Sequence, residues 1–229
     1  MISIQNSYYF SLIVQFVSLG IFYTTTNIKT NPHQILLKNA YFLEYIVSII
    51  EFIGYIILGY FINTKTNITT IRYLDWFVTT NMLLISLSFF LMFNNYYSPK
   101  NPSKLNTLSK LDFSYFKKNY TPVFINIWIF NSLMLLFGLL GELNYLNKYV
   151  SLILGLYCFF VSFYYIYSNF LGDVLINKIF ISVFVFIWLL YAVAFMLDFE
   201  NKNIAYNLLD LVSKNFFGIF LFYYIYNTF

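Results

Sequence analysis

The chain has 229 residues, of which 60% are hydrophobic and only 10% charged, with a formal net charge of +4. A water-soluble domain carries about 25% charged residues, so this chain lacks the polar surface to be one. Its 24% aromatic content excludes intrinsic disorder, and a single cysteine and a single histidine exclude a disulfide scaffold and a His/Cys metal or haem centre.

What remains is a polytopic membrane protein. A membrane helix needs roughly 20 apolar residues, so the length holds about six to eight spans with short loops. Seven apolar segments stand out, at about 5–26, 34–62, 71–95, 121–142, 147–168, 174–197 and 203–227. Runs this long are helices; a barrel would alternate in short segments. The expected fold is all-α, a seven-transmembrane-helix bundle, with residues 1–229 as one domain and no internal repeat.

The first segment has no basic leader and no small-residue cleavage site after it, so it reads as a span and not a signal peptide. His33 beside Pro32 reads as a solvated loop residue. The second segment carries Glu44 and Glu51, seven apart and therefore on one face, with Ser48 between them and Tyr55 beyond. The third carries Arg72 and Asp75, three apart, and extends the same polar stripe through Trp76, Thr79, Leu83 and Ser86. Residues 96–120 form a polar, part-ordered connector. Glu142 ends the fourth segment and reads as facing the headgroups. Cys158 in the fifth is a small packing residue. Asp198 and Glu200 precede the seventh, which carries Asp210 and Lys214 on one face, one turn apart. The tyrosines and phenylalanines read mostly as lipid-facing bulk and interfacial belt.

The lysines orient the chain. Lys29, Lys38, Lys100, Lys104, Lys110, Lys117, Lys118 and Lys178 fall on one side of seven spans, and Lys65, Lys148 and Lys202 on the other. The lysine-rich side is expected to be cytoplasmic, with the N-terminus extracellular and the C-terminus cytoplasmic. The positive charge thus reflects topology. No aromatic-plus-basic motif points to nucleic acid.

A charge at a helix centre costs about 2.5–3.5 kcal/mol on insertion scales, so ionisable residues within the spans are functional candidates. A buried lysine with two carboxylates and an arginine is an unusual centre. It suits Schiff-base chemistry, whose positive charge needs carboxylate counter-charge in a dry site.

Here the residues carry a resemblance. Arg72-Tyr73-Leu74-Asp75-Trp76-Phe77-Val78-Thr79-Thr80-Asn81-Met82-Leu83-Leu84 closely resembles the third-helix signature of microbial (type 1) rhodopsins, RYxDWxxTTPxLL. Asp210-Leu211-Val212-Ser213-Lys214 is similar to their seventh-helix D-x-x-x-K. Trp188-Leu189-Leu190-Tyr191 and Met134-Leu135-Leu136-Phe137-Gly138 are similar to their sixth-helix W-x-x-Y and fourth-helix M-x-x-x-G. The resemblance implies all-trans retinal bound covalently to Lys214. It makes Asp75 the primary counterion and proton acceptor, Asp210 the second counterion, and Arg72 the organiser of their outer side. Thr79 would bond Asp75, and Tyr191 and Tyr55 would bond Asp210. Trp76 and Trp188 would sandwich the polyene, Thr80 would face Asn131, and Leu83, Met134, Gly138 and Phe195 would line the pocket. Asn81 stands where the family usually has Pro, Ala192 where Pro is common after Tyr191, and Phe195 where Trp is frequent.

Outward proton pumps of this family place a carboxylate one turn beyond Leu83, where this chain has Ser86. Serine is a poor proton donor at neutral pH. Glu44, Glu51, Ser11 in the first span and Asn215 directly after Lys214 look instead like the lining of a water-filled cation path, since pore carboxylates favour cations. This set is similar to the viral rhodopsins of group 1, a group known for light-gated cation conductance. The implied mechanism is isomerisation of retinal, transfer of the Schiff-base proton to Asp75, loosening of the Arg72–Asp75–Asp210 cluster, and flow of monovalent cations and protons past Glu51 and Glu44. The alternatives are an outward proton pump, in which Asp198 and Glu200 could release protons, and a sensory rhodopsin. No catalytic domain is visible, so an enzyme is not expected. No separate metal site is expected. Partners are the lipid bilayer and, as often in this family, copies of the same chain as a homo-oligomer.

Overall fold

The structure, a computed structural model, describes residues 3–25, 31–62, 68–98 and 101–228. Lys29, Lys65 and Lys100, which entered the orientation argument, lie outside the described residues. The chain folds as α1 (Ile4–Thr25), a 3-10 turn (Pro32–Gln34), α2 (Ile35–Ile62), α3 (Ile68–Tyr96), α4 (Pro102–Leu108), α5 (Phe113–Asn119), α6 (Thr121–Glu142), α7 (Lys148–Phe170) and α8 (Leu175–Met196). The last span is composite: α9 (Phe199–Asp210), a π-helical turn (Leu211–Asn215) and α10 (Phe216–Thr228). Among the described residues there are no strands, and seven helices are long and apolar enough to cross a membrane. The protein is an integral membrane protein.

Local chemistry sets the helix starts. Asn147 accepts from the Tyr149 and Val150 amides at the head of α7, and Pro122 occupies the first turn of α6, where no amide is needed. Asp198 accepts from the Asn201 amide, so the seventh span begins at Phe199 rather than near 203, and Glu200 lies in its first turn. Those two acids cap and open a helix; they are not a loop ahead of it.

The 96–120 connector is more ordered than its composition suggests. Asn101 and Asp112 cap two short helices, α4 and α5. Leu108, Leu111 and Phe116 are buried, and Phe116 packs on Phe89 of α3 with ring centroids 4.7 Å apart. His33 is half-buried in the 3-10 turn and is not a solvated loop residue.

Many aromatic side chains face outward as expected, Tyr9, Phe16, Tyr60, Tyr157 and Phe186 among them, but others build a core. Phe22, Phe89, Phe90, Phe93, Phe116 and Phe170 are among the largest fully buried side chains. They fill the lysine-rich half of the bundle, which one polar tie crosses. Asn177 of α8 donates to the Leu91 and Leu171 carbonyls (2.9 and 2.8 Å) and to Asn95 Oδ1 (2.9 Å). Asn94 donates to Asn177 Oδ1 (2.9 Å) and accepts from Tyr224 of α10 (3.1 Å). Gly172, at φ +61°, turns the chain between α7 and α8, and any β-carbon there would run into the Asn95 side chain.

Two sets of contacts fix helix register. Between the antiparallel α1 and α2, Tyr8 donates to the Tyr55 carbonyl (3.0 Å) and Tyr41 to the Phe22 carbonyl (3.2 Å). Between α1 and the seventh span, which run parallel, Asn207 donates to Ser7 Oγ (2.8 Å), Ser11 donates to the Asn207 carbonyl (3.0 Å), and Phe22 lies against Gly218.

Candidate functional site

Lys214 sits in the π turn. A wide turn places consecutive residues inward together, and Ser213, Lys214 and Asn215 are all buried. Three carboxylates surround the lysine Nζ: Asp75 Oδ2 at 3.3 Å, Asp210 Oδ1 at 3.5 Å and Glu51 Oε1 at 3.7 Å. The sequence pattern pairs Lys214 with Asp75 and Asp210; Glu51 joins them from α2.

Asp210 is the most heavily bonded of the three. Its Oδ1 accepts from Tyr191 (2.9 Å) and Trp76 Nε1 (3.2 Å), and its Oδ2 from Tyr55 (3.0 Å) and Arg72 Nη1 (3.3 Å). Arg72 also donates to Tyr55, Asn203 and Asn207. Asn203 and Asn207 precede Asp210 at spacings of seven and three on the inward face. That spacing is visible in the sequence, although only the charged members were singled out. A buried guanidinium needs such a set of acceptors, because each unmet donor in a dry site costs free energy.

The expected threonine contacts appear in modified form. Thr79 donates to the backbone carbonyl of Asp75 (3.0 Å). Thr80 accepts from Asn131 (2.8 Å). Asn81, in place of proline, bonds across to α6: it accepts from Asn131 (3.0 Å) and donates to Ser132 (3.2 Å). A proline there would leave both contacts unmade.

A cavity of about 110 Å³ opens beside Lys214. Trp76, Thr80, Leu83, Met134, Gly138, Trp188, Tyr191, Phe195 and Lys214 line it, as the sequence pattern implies. Tyr73, which the third-helix signature contains without a stated role, also lines it, as do Gly155, Phe159 and Tyr206, whose apolar spacing outside any motif reads only as core. Thr79 and Tyr55 do not line it; both belong to the carboxylate cluster. An apolar slot walled by aromatic rings and ending on a buried amine fits a conjugated aldehyde such as retinal.

On the other side of Lys214 lies a polar seam between α1, α2 and the seventh span. Asn215 Nδ2 donates to Glu51 Oε2 at 3.4 Å. Glu44 is 1% exposed, yet neither carboxylate oxygen has a hydrogen-bond partner; Ser86, whose hydroxyl donates to the Ala40 carbonyl, faces it. Ser11 is spent on the Asn207 carbonyl and does not reach the two glutamates.

Glu142 does not face headgroups. Both its oxygens lie 2.8 Å from Lys202 Nζ, in an ion pair whose side chains are 10% and 8% exposed. Lys202 and Lys148 both lie over the Phe195 ring, at 5.7 and 5.6 Å.

The family model described as "Bacteriorhodopsin-like protein" matches residues 4–228. No curated protein sequence matches the chain. Among solved structures, the viral rhodopsin OLPVRII is similar at TM-score 0.80 and 24% identity, over 99% of each chain. A blue light-absorbing proteorhodopsin from Med12 is similar at TM-score 0.74 and 18% identity, over 98% of each chain. Xanthorhodopsin, described as a light-driven ion pump with dual chromophore, is similar at TM-score 0.69 and 16% identity, over 97% of this chain and 91% of its own. Identities this low speak for the shared fold.

Proposed function

The chain belongs to the bacteriorhodopsin-like family, and from that premise we propose that it is a retinal-binding photoreceptor that opens a cation path in light. All-trans retinal is held covalently on Lys214. The observation that carries the channel reading is the polar seam. Glu44 and Asn215 each keep a buried oxygen without a hydrogen-bond partner, next to Glu51, in a layer that a sealed core would fill with apolar side chains. The lysine-rich end is cytoplasmic and the N-terminus extracellular.

When bound, retinal supplies a light-driven all-trans to 13-cis isomerisation, which reorients the nitrogen of Lys214. The residues do the rest. The nitrogen holds a proton in the dark, balanced by the carboxylates around it. Asp75 Oδ2, 3.3 Å away, is the nearest acceptor. Asp210 is held by four donors and stays in place. Transfer to Asp75 removes the ion pairs on Lys214 at once. Glu51 and Asn215 then lose the charge that fixes them, and the seam is free to hydrate towards Glu44. A local charge change thus biases a two-state element.

A second reading, an outward proton pump, is favoured by one contact. Glu44 faces Ser86, so a carboxyl from α2 occupies the layer where pumps carry one on the third helix. Voltage-clamp of the retinal-loaded protein separates the two. A photocurrent that reverses sign with the cation gradient, and changes size or selectivity in Glu44→Gln and Glu51→Gln, supports the channel. A current that stays outward at every voltage supports the pump, with Glu44 as donor.

A further inference from the structure

The inner face of α1 is a polar ladder. Ser7, Ser11, Gln15 and Ser18 are all buried, at spacings of four, four and three. Ser7 and Ser11 are both engaged with Asn207. Gln15 is different. It is 1% exposed, and neither its amide nitrogen nor its carbonyl oxygen has a partner. A carboxamide unpaired at both ends is costly in a dry core and calls for an explanation.

Register shows where it stands. Tyr8 meets Tyr55 and Phe22 meets Tyr41, fourteen residues apart on each helix. Halfway between, Gln15 stands level with Ser48 of α2. Glu51 lies about one turn to one side of that level and Glu44 about one turn to the other. Against the seventh span, Ser11 meets Asn207 and Phe22 meets Gly218, which sets Gln15 level with Leu211, the first residue of the π turn. Gln15 therefore stands, along the helix axes, at a height between the two glutamates and level with the start of the turn that carries Lys214. The unpartnered oxygens of Glu44 and Asn215 belong to the same seam.

We propose that Gln15 is the central contact of the conduction path, its carbonyl oxygen standing in for water on a monovalent cation that passes between Glu51 and Glu44. An amide oxygen is neutral. It lowers the cost of shedding water without trapping the ion, as a site between two carboxyls must. This rests on the channel reading above. Gln15 is a specificity-determining residue of that path and has no part in holding the chromophore.

The test is photocurrent under voltage-clamp with potassium inside and sodium outside, in the wild-type chain and in Gln15→Leu and Gln15→Asn. Absorption spectra first establish that each variant folds and binds retinal. The expected result is a wild-type current that reverses, a loss of about tenfold in Gln15→Leu, which corresponds to about 1.4 kcal/mol of lost ion–dipole contact, and a shifted reversal potential in Gln15→Asn. A reversing wild-type current, with both variants equal to it in size and reversal potential, overturns the role of Gln15 and leaves the channel standing. A wild-type current that never reverses overturns the channel reading, and the role of Gln15 with it.

Discussion

Glu142 and Lys202 form an ion pair in which both carboxylate oxygens lie 2.8 Å from the ammonium, tying the end of α6 to the first turn of α9. Little of either side chain is exposed. Removing one partner of such a pair strands the other, at roughly 3–5 kcal/mol. Lys202→Ala is expected to lower the thermal unfolding midpoint clearly, and Glu142→Lys combined with Lys202→Glu to recover part of the loss. Equal midpoints in wild type and Lys202→Ala would show that the pair contributes nothing net.

Asp75 is the nearest carboxylate to Lys214 Nζ. Replacing it with asparagine keeps the shape and removes the base. Light-induced deprotonation of the lysine nitrogen should slow by roughly 10²–10⁴-fold, the usual worth of a positioned base. Loss of the counter-charge should also move the absorption band to the red. Flash photolysis reads both. An unchanged deprotonation rate in Asp75→Asn would transfer the acceptor role to Asp210 or Glu51.

The tie around Asn177 joins α8 to α3 and to the turn after α7. Asn177→Leu removes the partner of the Leu171 carbonyl, of the Asn94 amide and of Asn95 Oδ1, and each such group left unmet costs about 1–3 kcal/mol. Gly172→Ala adds backbone strain at φ +61° and a clash with Asn95. Both variants should unfold at lower denaturant concentration, and faster hydrogen exchange should be confined to the lysine-rich end of α8. Exchange that rises evenly over all helices would argue against a local tie.

Asp198 caps α9 from a fully solvated position. The Asn201 amide and side chain hold its carboxyl below the ordinary value. The folded pKa is therefore below the unfolded one. The cap's contribution is complete above the unfolded value of about 3.9 and is lost as pH falls through the folded value. Asp198→Ala should melt lower than wild type at neutral pH, and the gap should close in acid. A gap that persists under strongly acidic conditions would assign the effect to something other than the carboxylate.

The seven spans were legible because apolar runs of this length have one solution in a bilayer. Lys214, Asp75, Asp210 and the cavity wall were legible because charges and tryptophans stand out against an apolar background. Glu142 was misread for a physical reason. Its partner Lys202 is 60 residues away, and no local pattern announces a pair made between two helix ends. The aromatic core left no mark of its own, because phenylalanine carries no sign of which way it faces when both lipid and interior are apolar. The π turn left no trace either: its sequence, Leu211-Val212-Ser213-Lys214-Asn215, suits an ordinary α-helix equally well. Gln15 was passed over because an uncharged amide in an apolar run looks unremarkable until both of its ends are seen to be unpaired.

The cavity wall is drawn from α3, α6, α7, α8 and the seventh span, and none of its residues comes from α1 or α2. The seam that holds Gln15, Glu44 and Glu51 draws on those two helices. Lys214 is the partition between the two compartments. The proposed light capture and the proposed ion path can therefore change separately. On the channel reading proposed above, substitutions at Met134, Phe159 or Trp188 should retune colour without altering what crosses the membrane, and substitutions along α1 should change the permeant ion while the spectrum stays fixed. A lineage, or an engineer, can select the two traits one at a time.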